Sequence, residues 1–275
     1  MLKLMYITNS PDIALIAENA GVARIFVDME YIGKYARQGG MDTVQSHHTV
    51  EDIRRVKSVL TSSEVMVRIN PIHDATSEYS SSSEEIDSAI EAGADILMLP
   101  YFKSASEVEK FLRLVDGRAK TLPLLETPEA VECIDDILSI DGIDSIHIGL
   151  NDLSLGYGLK FMFQLLTDGT VERLCDKFVD RGIPYGFGGI ASMGKGMLPA
   201  EKIIAEHYRL GSTCAILSRS FCNTSVITDM DEIRHTFDDG VLRIREWEKR
   251  CASGEVDLIK NKADIDSIVH QIIEG

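Results

Sequence analysis

Short hydrophobic strands introduced by a glycine recur along this chain, and that recurrence constrains its fold more than any other feature. Five segments share the pattern: "NAGVARIFVD" (19–28), "EAGADILMLP" (91–100), "IDGIDSIHIG" (140–149), "DRGIPYGFG" (180–188) and "RLGSTCAILS" (209–218). A glycine at that point can take the left-handed conformation that ends a preceding helix. Adding "KLMYIT" (3–8), "EVMVRIN" (64–70) and "KTLPLLE" (120–126) gives eight strand candidates, each with helical pattern behind it. Eight βα units in about 250 residues predict an α/β protein of the closed (β/α)8 type, a TIM barrel. The competing layout, a doubly wound open sheet, lacks a GxGxxG after the first strand.

Helices are legible between the strands. "HTVEDIRRVKSVL" carries a capping-box pattern, Thr49 with Asp52, and "ASEVEKFLRLV" has helical spacing. The serine-rich "HDATSEYSSSSEE" (73–85) predicts a mobile loop after the third strand. Residues 1–250 are expected to form the catalytic barrel and 251–275 a C-terminal extension. The extension holds one more amphipathic helix, "DLIKNKADIDSIVHQII" (257–273), placed either on a neighbouring subunit or on its own barrel.

Charge narrows the partners. Of the 275 residues, 28 are Lys or Arg and 44 Asp or Glu, a formal charge of −16 that repels phosphate backbones. Nucleic acid and anionic membrane are therefore not expected, and a small molecule is. Five cysteines form no CxxC, which fits reduced thiols in a cytoplasmic protein. The opening segment reaches Ser10, Pro11 and Asp12 before any apolar run long enough for a membrane helix or signal sequence.

In a TIM barrel the active site is built at the carboxyl ends of the strands. Those ends carry Asp28 and Glu30, Arg68 and Asn70, Pro100, Glu126, Asn151 and Asp152, Gly188 and Gly189, and Ser218 and Arg219. Glu126 and Asp152 end neighbouring strands. They either converge on one cation, as two carboxylates commonly hold Mg2+ or Mn2+, or serve as an ion-pair partner and a helix cap. A guanidinium at the end of a hydrophobic strand needs an anionic partner, so Arg68 either grips a substrate carboxylate or pairs internally with Asp28 or Glu30.

Five pieces in order, "FVDMEYIGKYAR" (26–37), "VMVRINP" (65–71), "GADILMLPYFKSASEV" (93–108), "PLLETPEAVECIDDIL" (123–138) and "GIDSIHIGLNDLSLGYG" (142–158), resemble the HpcH/HpaI aldolase and citrate lyase beta superfamily. The resemblance covers about half the chain. It implies a divalent metal, Mg2+ or Mn2+, on Glu126 and Asp152, and Arg68 on a pyruvate moiety. Gly149 and Asn151 would then lie against the bound ligand. The chemistry implied is reversible aldol cleavage of a 4-hydroxy-2-oxo acid through a pyruvate enolate, in a homo-oligomer.

The chain also departs from the family. Aldolases of this type carry Glu-His after the second strand, whereas Glu30 is followed by Tyr31, so the proton-transfer role falls to His47 or His48 in the next loop or to water on the ion, with Glu30 expected among the catalytic residues. "DMEYIGKYAR" is also similar to the citrate lyase branch. After the seventh strand "GFGGIASMGKGMLPAE" reads as a glycine-rich loop carrying Lys195. Gly188, Gly189 and Arg219 are candidates for holding a phosphate or another anion of the substrate. Two alternatives stand beside the aldolase: a lyase acting on CoA thioesters, and a non-catalytic protein that binds pyruvate or phosphoenolpyruvate.

Overall fold

The computed structural model describes residues 1–34 and 47–275. Eight parallel strands close into a barrel in sequence order. They are β1 (Lys3–Ile7), β2 (Arg24–Asp28), β3 (Glu64–Arg68), β4 (Ile96–Leu99), β5 (Lys120–Leu125), β6 (Ile146–Ile148), β7 (Tyr185–Ile190) and β8 (Cys214–Leu217). Every strand of the sequence reading is present. The glycines that introduce five of them, Gly21, Gly93, Gly142, Gly182 and Gly211, all have positive φ.

The described helices are α1 (Pro11–Asn19), α2 (Val50–Lys57), α3 (Ser82–Glu91), α4 (Ala105–Val115), α5 (Pro128–Glu132), α6 (Ile134–Ile137), α7 (Leu150–Gly156), α8 (Gln164–Thr167), α9 (Thr170–Asp180), α10 (Ala200–Arg209), α11 (Met230–Ala252) and α12 (Leu258–Glu274). Thr49 and Asp52 form the expected capping box on α2. The serine-rich segment is a loop only as far as Ser81, because Ser81 and Glu84 make a second capping box that starts α3.

Alternation along the strands divides the core. Met5, Phe26, Met66, Ile96, Met98, Leu122, Leu124 and Cys214 fill the barrel, while residues such as Ile25, Val67 and Leu97 face the helices. A buried histidine joins the interior: His147 Nε2 lies 3.2 Å from the carbonyl oxygen of Gly188. A carbonyl only accepts, so Nε2 carries the proton. Gly188 has φ of 54° and sits at an irregularity in the β7–β8 register. The glycines of "GFGG" thus belong to strand β7, which runs to Ile190, and not to the loop after it. The strand read over 180–188 runs two residues further, to Ile190, than its apolar pattern shows, because glycine carries none of the signal by which a strand end is read.

Helix α12 packs on α10 and α8 of its own chain, with Ile265 and Val269 buried. Lys202 on α10 meets Asp264 at 2.6 Å and its carbonyl accepts from Asn261 at 3.0 Å. Among the described residues no helix is long and apolar enough to cross a membrane, and all five cysteines are free.

Candidate active site

The carboxyl ends of β2 and β3 meet in register, Asp28 opposite Arg68. The Arg68 guanidinium makes two contacts to Asp28, Nε to Oδ1 and Nη2 to Oδ2, both 2.8 Å. Its Nε also lies 3.3 Å from Glu30 Oε2. Lys34 adds a second cation, 2.7 Å from Asp28 and 3.7 Å from Glu30. Of the two readings of Arg68, the internal pair is therefore present, with Asp28 and Glu30 both taking part. Burial works against the Asp28 charge, but Arg68 and Lys34 outweigh it and hold the carboxyl well below its usual range. Burial likewise opposes the charge of Arg68, and Asp28 and Glu30 hold it protonated.

His48 reaches the same cluster by an unexpected route. The backbone N–H of Asp28 donates to His48 Nδ1 at 3.0 Å. That nitrogen is an acceptor, so the neutral ring carries its proton on Nε2. Burial pushes the His48 pKa down, against the pull of Asp28 and Asp52. Tyr31, directly after Glu30, is 44% exposed, and its ring lies tilted at 48° to that of Tyr79 in the loop after β3, with centroids 5.3 Å apart. Tyr35, Ala36 and Arg37, the end of the first resembling segment, lie outside the described residues.

Glu126 follows β5 and is 3% exposed. Its Oε1 accepts from the backbone N–H of Tyr101 at 3.0 Å. Gly149 explains itself here: a Cβ on it would stand 2.8 Å from both Cβ and Oε2 of Glu126. The glycine lets that carboxylate lie directly against the backbone. Asp152 sits in the first turn of α7, one turn beyond the end of β6. Glu126 and Asp152 line one cavity of about 190 Å³ with Tyr101, Thr127, Pro128, Leu155 and Gly156. The charge of Glu126 is also felt by Arg68, which couples the two halves of the mouth.

Tyr101 is the residue that sequence reasoning missed. Its φ of 49° is left-handed, unusual for a tyrosine. Its N–H holds Glu126, and Thr127 Oγ1 donates to the next carbonyl, Phe102, at 2.6 Å. The ends of β4 and β5 are thereby tied together. Strained non-glycine backbone concentrates at functional sites. Nothing in the residue type announces it.

The other predicted residues do not assemble with these. Asn151 is exposed, and its carbonyl accepts from Ser154. Arg219 is exposed and lines a separate cavity of about 410 Å³ with Ser220, Phe221, Asn223 and Ile227. Gly188 and Gly189 do not line that cavity, and the Gly188 carbonyl is engaged by His147. Gly189 lies against Ser218, the chain neighbour of Arg219, where β7 and β8 end side by side. A larger cavity, about 810 Å³, opens at the opposite end of the barrel around Asp95, Arg113 and Gly142, away from the strand ends where barrels place their chemistry.

Among the described residues no group of three or more His, Cys, Asp and Glu converges as a metal cage. Two hard carboxylates facing one small cavity do fit Mg2+ or Mn2+, which keep several positions for water and ligand. Residues 4–161, more than half of the chain, match the HpcH/HpaI aldolase/citrate lyase family. The chain belongs to that family. The matched span contains Arg68, Glu126 and Asp152 and ends before β7 and β8. No curated protein matches the chain in sequence.

Solved structures of the family share the fold. The HpcH/HpaI aldolase from Desulfitobacterium hafniense DCB-2 superposes with a TM-score of 0.59 at 18% identity, covering 89% of this chain and 93% of its own. A HpcH/HpaI aldolase/citrate lyase family protein from Burkholderia cenocepacia J2315 gives 0.60 at 15%, covering 85% and 94%. Fold and family together make this an aldolase/citrate lyase type of barrel.

Proposed function

We propose that the chain is a divalent-metal-dependent carbon–carbon lyase, which cleaves or forms a 4-hydroxy-2-oxo acid through a pyruvate enolate and an aldehyde. The observation that carries this reading is the shared cavity of Glu126 and Asp152 at the strand ends, with Arg68 electrostatically coupled to Glu126. Glu126 and Asp152 would hold the ion. When bound, it supplies positive charge against the negative charge that develops as the carbon–carbon bond breaks.

The chain's own groups divide the remaining work. Arg68 offers Nη1, which takes no part in its pair with Asp28, to the substrate carboxylate. Asp28 fixes the plane of that guanidinium. Glu30, held by the longer contacts of 3.3 and 3.7 Å, accepts the proton of the 4-hydroxyl group. His48, with Nδ1 taken by the backbone, acts as a hydrogen-bond donor through Nε2. The base expected of it at the sequence level would need the other nitrogen.

Deuterium exchange into the pyruvate methyl group, followed by proton NMR, tests this reading without knowledge of the aldehyde. Exchange that requires Mg2+ or Mn2+, stops with EDTA and is lost in Glu126→Gln and Asp152→Asn supports it. Metal-independent exchange, or exchange surviving both substitutions, refutes it. A second reading, a pyruvate-binding protein without turnover, is favoured by Tyr31 at the histidine position and by the occupied Nδ1 of His48. Pyruvate bound with no exchange and no aldol product would select it.

A further inference from the structure

A second buried network lies beside Arg68 and is centred on Asn70, 1% exposed. Its Oδ1 accepts from the backbone N–H groups of Tyr31 and Ile32, both at 2.9 Å. Its Nδ2 donates to Glu85 Oε1 at 2.8 Å, and its own backbone N–H donates to the same carboxylate at 3.2 and 3.3 Å. Glu85 comes from α3 and is itself buried. The amide is therefore used on both edges, as acceptor toward two N–H groups and as donor toward a carboxylate. At this length only asparagine places donor and acceptor on separate atoms at opposite edges of one planar group, since aspartate has no donor and a serine or threonine hydroxyl carries both on a single oxygen.

What this amide holds is the turn that leaves β2. Tyr31 and Ile32 follow Glu30 directly, and the Glu30 N–H donates back to Asp28 Oδ1 at 3.3 Å. Asn70 stands two residues beyond Arg68 on the same chain segment. It therefore locks the backbone carrying Asp28 and Glu30 to the backbone carrying Arg68. Charge attraction alone tolerates many arrangements of two carboxylates about a guanidinium, whereas two directional N–H bonds to one oxygen select one.

We propose that Asn70, oriented by Glu85, is the positioning residue that registers Glu30 and Asp28 against Arg68 for a 2-oxo acid. The catalytic part of this proposal rests on the lyase reading above, while the structural part does not. The pair also permits an exchange of roles. In the double variant Asn70→Asp with Glu85→Gln, the new carboxylate accepts from Tyr31, Ile32 and the new amide, so the bridge is rebuilt with donor and acceptor exchanged. Asn70→Asp alone sets two carboxylates against each other, and Glu85→Gln alone keeps an acceptor for Asn70.

The four proteins are compared at pH 8 by site-resolved amide hydrogen exchange, by methyl exchange into pyruvate with Mn2+ and by thermal melting. Asn70→Asp should lose at least tenfold in protection at Tyr31 and Ile32 and at least tenfold in methyl exchange rate. Glu85→Gln should stay within twofold of the parent, and the double variant should return to within threefold in both. A melting loss that the double variant shares, with rates unchanged throughout, would reduce Asn70 to a structural residue and overturn the proposal. Unaltered protection in Asn70→Asp would overturn it as well. A parent protein without methyl exchange refutes the lyase reading instead, and the amide protection then still decides the bridge.

Discussion

Arg68 and Asp28 are register partners on β3 and β2, and their side chains meet in a two-point contact with both distances 2.8 Å. The strand pairing sets this contact, so the guanidinium plane is fixed before any substrate arrives. Asp28→Asn removes one buried charge and leaves Arg68 with Glu30 as its nearest anion. Breaking a buried pair on one side costs about 3 kcal/mol, so the melting temperature should fall by several degrees. The Michaelis constant for pyruvate should rise by more than the turnover falls. A melting temperature unchanged in Asp28→Asn would show that the pair contributes nothing to the fold.

Gly149→Ala is expected to act chiefly through Glu126, with Leu124 Cδ1 the next atom it would meet, at 3.3 Å. The added methyl would stand 2.8 Å from Glu126 Cβ and Oε2, too close to be absorbed without moving the side chain. Overpacking of this size costs about 1–3 kcal/mol. If Glu126 is a metal ligand, titration calorimetry with Mn2+ should show affinity reduced at least tenfold while the barrel still melts cooperatively. Unaltered Mn2+ affinity would separate Glu126 from the ion.

The barrel was legible because its strands and capping glycines repeat a local pattern, and local patterns survive in a single sequence. Glu126 and Asp152 were legible for a related reason: they follow successive strands, Glu126 directly after β5 and Asp152 one turn beyond β6, which brings them to one cavity. The choice between a substrate grip and an internal pair for Arg68 was not, since Asp28 is 40 residues away and only strand register joins them. The same holds for Asn70 and Glu85, which sit on a strand end and a helix. Tyr101 was invisible because its left-handed backbone is imposed by the ends of β4 and β5, not by its side chain. The end of β7 was blurred by its glycines, which close packing demands: a Cβ on Gly186 would collide with the carbonyl oxygen of Cys214.

Glu18 anchors the turn before β3 and should govern stability in strong acid. Its carboxylate accepts from the N–H groups of Thr61, Ser62 and Ser63 and from the Thr61 hydroxyl, at 2.7 to 3.1 Å. Burial opposes its charge, yet these donors lower its pKa from 4.5 to about 2. A carboxyl depressed in the folded state contributes stability that is complete above its unfolded value and is lost as pH falls toward the folded one. Glu18→Gln should therefore cost about 1–3 kcal/mol at pH 7 and almost nothing at pH 2. Denaturant melts at the two values check it, and an equal loss at both would remove the charge from the explanation.

Two buried histidines should make the barrel lose stability already in mild acid. His147, in the interior, is pushed from 6.5 down to about 4, and His207, stacked on Phe187 at 3.9 Å, to about 3, in both cases chiefly by burial. Each is neutral in the folded chain, while the unfolded chain binds a proton below pH 6.5. The unfolded state then holds more protons, so stability is complete above pH 6.5 and declines as pH falls toward 4 and on toward 3. His207 Nδ1 is satisfied by Ser212 at 2.7 Å, but its Nε2 is buried without a partner among the described residues, so an apolar ring of similar shape is tolerated there. His207→Phe should keep the melting temperature at pH 7.5 within a few degrees and flatten its decline between pH 6.5 and 4. A decline as steep as the parent's would place the acid sensitivity in His147 and the carboxylates instead.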